Sequence, residues 1–470
     1  MTDPFLYCHQ IGPRFYSIGG KLLPVSVRDQ MVRGELFVQR AHQLKLFDRQ
    51  YKFLVVGAGA AGVAAALTAA SLNIETLLVE IKDNPFSPQA RCPTRLIDPT
   101  LYDFPVDHWG IKQYPPATGR IVHQLAWAAG NAQSLAFNWN LEFRKACARS
   151  KVIEILYFTK LLDPPTLAAN GRFTEAKILT EIPTLPVKEK LVNCNIVLIA
   201  AGIGREKTYL RSNGAPPHPT CGFGFWEQDP FQDSDFGIKN GNPPEILISG
   251  SGDGALQDFL RITTNCASAD DIYRIAPLSH QQLCKLHSAQ IRAFRLWHWG
   301  TDSRHDHEAL TALHRAHQQI VYEVLQTGGR KLRQDLSGIL RNPLPPVRLL
   351  FECGHFSHCY CINRYLVLLI GTFLEESRGA DTVLMSKRRL VGLDSLDSTH
   401  QCNSKASDCH GVDHRATWAE LADCRQNPSI KTGFIDANVL ILRHGIDNSD
   451  LVWDPTPPRS RQLLPFFLTD

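Results

Sequence analysis

Long uncharged hydrophobic runs are missing from this 470-residue chain. A membrane-spanning helix needs about 18 or more consecutive apolar residues, so no membrane span is expected. A basic start leading into an apolar core is also missing from MTDPFLYCHQIGPRF, so a secretory signal is not expected. Charge of one sign is not in excess. The 50 Lys and Arg against 46 Asp and Glu leave +4, and no long basic run concentrates it, which speaks against a nucleic-acid partner. Cysteines do occur, 13 of them, but they are scattered rather than framed as disulfide pairs. Reduced thiols and a cytoplasmic setting are therefore expected. What remains is 44% apolar and 20% charged, a globular composition on a chain too long for one ordinary core. Two or three domains are expected.

The strongest positive signal is residues 52–80, KFLVVGAGAAGVAAALTAASLNIETLLVE. A strand-like run, Phe53 to Val56, meets Gly57, Gly59 and Gly62 at the spacing G-x-G-x-x-G. An alanine-rich helical segment follows, then a second apolar run, Thr76 to Val79, that ends on Glu80. Each part suits a dinucleotide. Gly57 permits the tight turn, Gly59 lets backbone approach a pyrophosphate, and Gly62 lets the helix pack close to the strand. The helix N-terminus favours phosphate, and Glu80 stands where an acid bonds a ribose hydroxyl.

Before this unit, Val27 to Phe47 has the spacing of an amphipathic helix. After it, residues 81–116 are rich in proline and turn residues and read as a long functional loop on the ligand side. Residues 119–138 read as helix. Three short strand candidates then follow, Val152 to Thr159, Phe173 to Glu181 and Val187 to Val192, with the pattern of an antiparallel meander. The run Asn195 to Ile199 passes directly into Ala200-Ala201-Gly202, small residues that suit close backbone approach. A second nucleotide-like unit starts at EILISGSGDGALQDF, where Gly250, Gly252 and Ala255 give G-x-G-x-x-A. Ile272 to Ile275 reads as its next strand, and Arg274 near its end would favour a 2′-phosphate, hence NADP over NAD. Asn438 to Leu442 is another apolar strand, stopping at Arg443-His444-Gly445.

With both motifs in view, the chain resembles the flavoprotein oxidoreductases that carry two dinucleotide-binding domains. The resemblance implies an α/β fold: a Rossmann-like FAD-binding domain with a β-meander, a second NAD(P)-binding Rossmann-like domain, and a helical insert. Gly57, Gly59, Gly62 and Glu80 look like the FAD site of that family. Ala200-Ala201-Gly202 is similar to its second FAD contact, with Ala201 in place of the usual threonine, so Ala201 and Gly202 are cofactor-binding candidates. Gly250, Gly252, Ala255 and Arg274 are the candidates for NAD(P)H. The expected boundaries are an N-terminal helical extension over 1–50, the FAD-binding domain over 51–244, the NAD(P)-binding-like domain with its insert over 245–394, and a polar insert with a C-terminal return to the FAD domain over 395–470.

Three departures narrow the chemistry. The disulfide-reductase branch needs two cysteines a few residues apart soon after the acid, and only Cys92 is there. The F-x-G-x-x-x-H linker of related monooxygenases is missing; FECGHFSH at 351–358 has the wrong spacing. A clear Gly-Asp segment for the flavin ribityl chain is missing near the C-terminus. The expected activity is an FAD-dependent oxidoreductase using NAD(P)H on a small organic substrate. An oxidase or dehydrogenase without nicotinamide, or a non-catalytic dinucleotide sensor, are the alternatives.

Catalytic candidates lie on the long loop. Arg95 suits an anionic group, His108 suits acid–base work near neutral pH, and Trp109 and Tyr114 suit walls that exclude water. Cys92 reads as a buried thiol. A rival constellation is CGHFSHCYC, with Cys353, His355, His358, Cys359 and Cys361, and Cys402, Cys409, His410 and His414 further on. Thiolates and imidazoles at such spacing can bind zinc. Clean C-x-x-C knuckles are lacking and the run leads into apolar RYLVLLI, so no metal is expected. The expected partner is a small-molecule substrate, and a homo-oligomer stays open.

Overall fold

The computed structural model describes residues 3–19, 26–115, 125–202, 204–207, 210, 224–231, 233, 236, 242–299, 303–395, 414–421 and 431–447. These fall into two compact units. One takes in residues 1–100, 111–205 and, at the described C-terminal end, Asp447; the other takes in residues 101–110 and 206–446.

The first unit is built on a nine-stranded sheet. Its main path joins β1 (Gln10–Gly12), β2 (Phe15–Ser17), β3 (Lys52–Val56), β4 (Thr76–Val79), β5 (Ile153–Leu156) and the long β8 (Lys188–Ile199) in the spatial order β1-β2-β8-β3-β4-β5. The pairs from β2 to β5 are parallel. Parallel strands are covered on both faces, which is why they read as unbroken apolar runs. Phe53, Leu54, Val55, Leu77, Leu78 and Val79 are all fully buried, each contributing on the order of 2 kcal/mol of apolar transfer.

Two helices lie against each other beside these strands. Helix α1 (Val27–Gln43) is capped by Ser26, whose Oγ accepts from Asp29 N at 3.0 Å. It packs on α2 (Ala60–Ser71) so closely that a Cβ at Gly34 would run into the Ala61 carbonyl. With β1 and β2 in the sheet and α1 on α2, residues 1–50 are part of this unit rather than an extension of it. The amphipathic pattern was correctly placed, and its apolar face meets a helix of the same core.

The expected meander is only partly one. Strand β5 pairs parallel with β4, while β6 (Thr159–Leu161) and β7 (Thr174–Thr180) pair antiparallel with each other. The third candidate and the run Asn195 to Ile199 are one continuous strand, β8, which pairs antiparallel with β7 along its first half and parallel with β3 along its second. Asn193 and Asn195 lie within it without breaking it, Asn195 Nδ2 donating to the Asp48 carbonyl at 2.6 Å, so a single strand joins the hairpin to the central sheet. Of the helix expected over 119–138, only 132–138 is helical, as the start of α3 (Ala132–Ser150); Trp127–Ala128 and Gly130–Asn131 are short strands, and Asn131 starts α3, its side chain accepting from Gln133 N and Ser134 N.

The second unit has its own parallel sheet, in the order β11 (Leu384–Met385), β10 (Val347–Leu350), β9 (Ile246–Ser249), β15 (Val439–Leu442). Strand β9 leads into α4 (Asp253–Thr263). Three helices intervene before β10: α5 (Ala269–Ile275), α6 (His280–Trp299) and α7 (Ser303–Ile339), the last broken at Gly329. Helix α8 (Cys361–Arg378) follows β10 and is buried along most of its length. An antiparallel ribbon, β12 (Arg388–Ser395), β13 (His414–Glu420) and β14 (Thr432–Ala437), completes the described part.

One expectation is overturned here and another is narrowed. Ile272 to Ile275 is the end of helix α5, not a strand. Ser268 and Asp271 form a capping box, Ser268 Oγ accepting from Asp271 N and Asp271 Oδ2 accepting from Ser268 N, and this starts a helix that runs through the expected strand. Val439–Leu442 pairs parallel with β9, so this strand stays in the second unit, and among the described residues after 395 it is Asp447 that falls in the first. Residues 396–413, 422–430 and 448–470 lie outside the described residues, and Cys402, Cys409 and His410 with them. The side chain of His414 lies outside them too.

Candidate functional site

The first glycine turn follows from the backbone that its residues permit. Gly57 has φ +105°, a conformation that L side chains rarely adopt, and its N–H donates to the Val79 carbonyl at 2.7 Å. A Cβ at Gly62 would run into the Gly57 carbonyl and approach Ala200 Cβ to 3.4 Å, so α2 can sit this close only without a side chain there. Gly59 is different. It caps α2 in extended conformation, with φ −77° and ψ −171°, and a Cβ there would meet nothing within 4 Å. The space above Gly59 is therefore not used by the protein, and the positive end of a 12-residue helix without an acid in its first turn faces it.

Glu80 follows β4 directly and is buried. Its Oε2 accepts from Ala58 N at 2.6 Å and its Oε1 from Lys82 N at 2.9 Å. Two backbone donors thus aim the carboxylate at the glycine turn, and each oxygen keeps lone-pair capacity for a ribose hydroxyl. The end of β8 closes the other side. Ala200 N donates to the Val56 carbonyl at 2.8 Å, Gly202 has φ +87°, and a Cβ at Gly19 would run into the Gly202 carbonyl. Ala201 and Gly202 themselves are exposed, as a contact to a ligand requires.

The second glycine turn repeats the backbone plan. Gly250 has φ +147°, and its N–H donates to the Leu350 carbonyl at 2.9 Å, as Gly57 does to Val79. A Cβ at Gly250 would run into the Arg443 carbonyl. Gly252 caps α4, and Ala255, buried completely, fills the position held by Gly62 in the first turn. The side chains differ. Where Glu80 follows Val79, Phe351 follows Leu350, and it is buried in the core of the unit. Ser357 Oγ stands 3.5 Å from where a Cβ on Gly252 would be. Asp253 opens α4, its Oδ1 accepting from Tyr360 N at 2.9 Å and Asn363 Nδ2 at 2.7 Å. Burial pushes its carboxyl up to about 7, although both hydrogen bonds and the Arg364 charge act the other way.

Arg274 does not wait for a phosphate. It lies on helix α5, exposed, and pairs with Asp270 and Asp271 one turn back. The end of β15 brings two residues that local reading left open. Ser249 Oγ and His444 Nε2 are 2.7 Å apart, and burial lowers the His444 pKa, so the neutral ring predominates. Arg443 is buried, donating from Nε to Asp258 Oδ2 at 2.8 Å and from Nη1 to Glu206 Oε1 at 3.2 Å. Its role is structural.

The loop candidates separate. Arg95 is 2% exposed in the first unit, where its carbonyl accepts from Ala132 N. Tyr114, also in the first unit, is buried against Trp127, and burial together with the Glu35 charge drives its hydroxyl pKa far up. Trp109 belongs to the second unit, packed edge-on to Phe104 at 5.4 Å and Tyr273 at 4.9 Å. The side chain of His108 lies outside the described residues. Cys92 is fully buried. No disulfide occurs among the described cysteines, and no described helix is long and apolar enough to cross a membrane.

Two strand–glycine turn–helix units of the dinucleotide-binding kind are thus present, one in each compact unit. No family model matches the chain, and no curated protein is similar to it. Among solved structures it is similar to bacillithiol disulfide reductase from Staphylococcus aureus, with 10% identity and a TM-score of 0.38 over 84% of this chain and 76% of that one. It is similar also to thioredoxin reductase from Lactococcus lactis, with 9% identity and a TM-score of 0.37 over 86% of this chain and 81% of that one.

Proposed function

We propose that this protein is an FAD-dependent oxidoreductase that takes reducing equivalents from NAD(P)H and acts on a small organic substrate. The observation that carries the reading is the first glycine turn. The space over Gly59 is open, the helix end behind it is positive, and Glu80 is aimed beside it by two backbone donors. Gly57, Gly59, Gly62, Ala201 and Gly202 would hold the diphosphate and adjoining groups, and Glu80 the adenosine ribose. Bound FAD would supply the two-electron chemistry. Gly250, Gly252 and Ala255 support NAD(P)H at the second turn by backbone geometry alone. With Arg274 engaged by Asp270 and Asp271, neither NADH nor NADPH is preferred. Arg95 is retained for an anionic group of the substrate and His108 for proton transfer. With Cys92 buried, a dithiol reaction is not part of the reading.

The test is the absorbance spectrum of the purified protein, followed by anaerobic addition of NADPH and NADH. A flavin band bleached by either nicotinamide supports the proposal. A flavin band untouched by both moves the reading to an oxidase or dehydrogenase that draws electrons from its own substrate. The Ser357 and Asp253 side chains at the second turn would favour that outcome. A colourless protein that FAD cannot reconstitute overturns the reading.

Asp253 gives the nicotinamide step a pH dependence. With its carboxyl near 7 in the folded protein, the neutral acid predominates below that pH and the carboxylate above it. A diphosphate at the start of α4 meets an added like charge as pH rises, worth ~1 kcal/mol at this range, so binding weakens about three- to fivefold from pH 6 to pH 8. Asp253→Asn is expected to keep both hydrogen bonds in altered form and to flatten that profile. Equal pH dependence in parent and variant, read by nicotinamide titration, would assign the effect to another group.

A further inference from the structure

The loop beyond β10 and the first turn of α7 bring together three side chains that neither glycine turn uses. His307 lies on α7, and Cys353 and His355 on the loop. One nitrogen of each imidazole and the Cys353 sulfur lie within 4.8 Å of one another. We propose that His307, Cys353 and His355 form a binding site for one zinc-class divalent cation, with water completing a four-coordinate shell. The proposal does not rest on the nucleotide reading.

The ring geometry gives His355 a lone pair at the centre of this group, with the His307 Nδ1 proton donated to it; on binding, that proton moves to the other nitrogen of His307. His355 Nδ1 donates to the Phe356 carbonyl at 2.9 Å, which places its proton on Nδ1 and leaves Nε2 as a lone pair. That Nε2 faces His307 Nδ1 at 2.9 Å. An imidazole held by a backbone carbonyl through one nitrogen, with its lone pair on the other, is the usual outer-shell arrangement of a metal-bound histidine. A plain His–His hydrogen bond would account for the two rings, but it gives no reason for a thiol beside them. Two neutral imidazoles and one sulfur suit zinc better than calcium or magnesium, which take oxygen ligands. On binding, the Cys353 thiol loses its proton to solvent and the thiolate sulfur bonds the cation, so uptake of one ion releases one proton. His307 and Cys353 are half-buried, which leaves a route of entry.

The site would work as a clip. A second tie joins the same two segments, His358 Nε2 to Asp306 Oδ2 at 3.0 Å. Between the ties, Ser357 N donates to the Ser251 carbonyl at 3.0 Å, so the loop rests on the second glycine turn. A cation held by α7 and this loop would fix the helical segment to the end of the parallel sheet. Spacing along the chain marks Cys353 and His355 but not His307, which precedes Cys353 by 46 positions (353 − 307), outside any zinc-binding pattern a local search covers.

The test uses the full-length protein stripped with a chelator and titrated with Co2+. Uptake of one equivalent with thiolate-to-cobalt charge-transfer absorption and the visible bands of a four-coordinate ion is expected. Cys353→Ser should lose the charge-transfer band, and His355→Ala should lose stoichiometric uptake, each binding at least about tenfold more weakly. A charge-transfer band that persists in Cys353→Ser overturns the proposal, because the thiolate then lies elsewhere. A second measurement needs no variant. Zn2+ should protect Cys353 in the parent protein from alkylation, read by peptide mass. Equal labelling of Cys353 with and without Zn2+ overturns the proposal as well.

Discussion

A Gly59→Ala variant is expected to fold like its parent and to be purified without flavin. The reason lies in what surrounds that position. Gly59 has φ −77° and ψ −171°, values open to any L residue, and its missing Cβ would touch no protein atom within 4 Å. The apo-protein therefore has no steric cause to lose stability, and alanine in place of glycine at a helix N-cap costs about 0.5–1 kcal/mol. The methyl group would instead occupy the space over the turn, where a diphosphate must approach the backbone amides to about 3 Å. FAD affinity should fall by about 100-fold or more, equivalent to ~2.7 kcal/mol. Gly62→Ala makes the contrast. Its Cβ would run into the Gly57 carbonyl, so α2 must move off the strand, and the apo-protein itself should lose about 1–3 kcal/mol. Apo-protein melting and FAD titration on both variants separate the two effects. A Gly59→Ala protein that retains its flavin would mean that the open space is not the phosphate cradle.

Those two glycines also show why part of the fold could be read directly. Their roles are set by neighbours within a few residues: a strand before, a helix after, and a second strand whose last carbonyl receives the Gly57 N–H. Parallel strands buried on both faces leave uninterrupted apolar runs, so Phe53 to Val56, Thr76 to Val79 and Ile246 to Ser249 announce themselves. The misread parts depend on partners far along the chain. Val439 to Leu442 is equally apolar, but nothing in it says whether it pairs with β3 or with β9, whose residues Ile246 to Ser249 lie almost two hundred positions earlier. Arg274 was placed on a strand because Ile272 to Ile275 is apolar and short; a Ser-x-x-Asp box four residues upstream is the local signal that would have corrected it. The approach of Ser249 to His444, and of His307 to Cys353, is created by topology, and no spacing rule could have supplied either.

Arg443→Met is expected to cause the largest loss of stability in the second unit. The guanidinium of Arg443 is 2% exposed and bonds Asp258, which is fully buried, and Glu206. Asp258 is also 3.6 Å from Arg261, which makes a two-point contact with buried Asp229 at 2.7 and 2.9 Å. Two cations therefore serve three carboxylates. Removing Arg443 takes the direct 2.8 Å ion contact from the buried Asp258 carboxylate, and breaking a buried pair from one side costs about 3–5 kcal/mol. A loss of that size should lower the midpoint of this unit by about 10 °C. The double variant Arg443→Met, Asp258→Leu removes both charges and should regain much of the loss, because an apolar replacement of the whole pair is often neutral. The substitution also reaches the second glycine turn. Arg443 N donates to the Ser249 carbonyl at 2.8 Å, and the Arg443 carbonyl occupies the position that a Gly250 Cβ would take. With the guanidinium anchor gone, that backbone contact loosens, so nicotinamide affinity should fall while flavin content does not. Since the chain has two units, unfolding should be followed by hydrogen exchange in β9 and β15 rather than by one global probe. Unchanged protection of those strands in Arg443→Met would show that the buried network does not hold the second unit together.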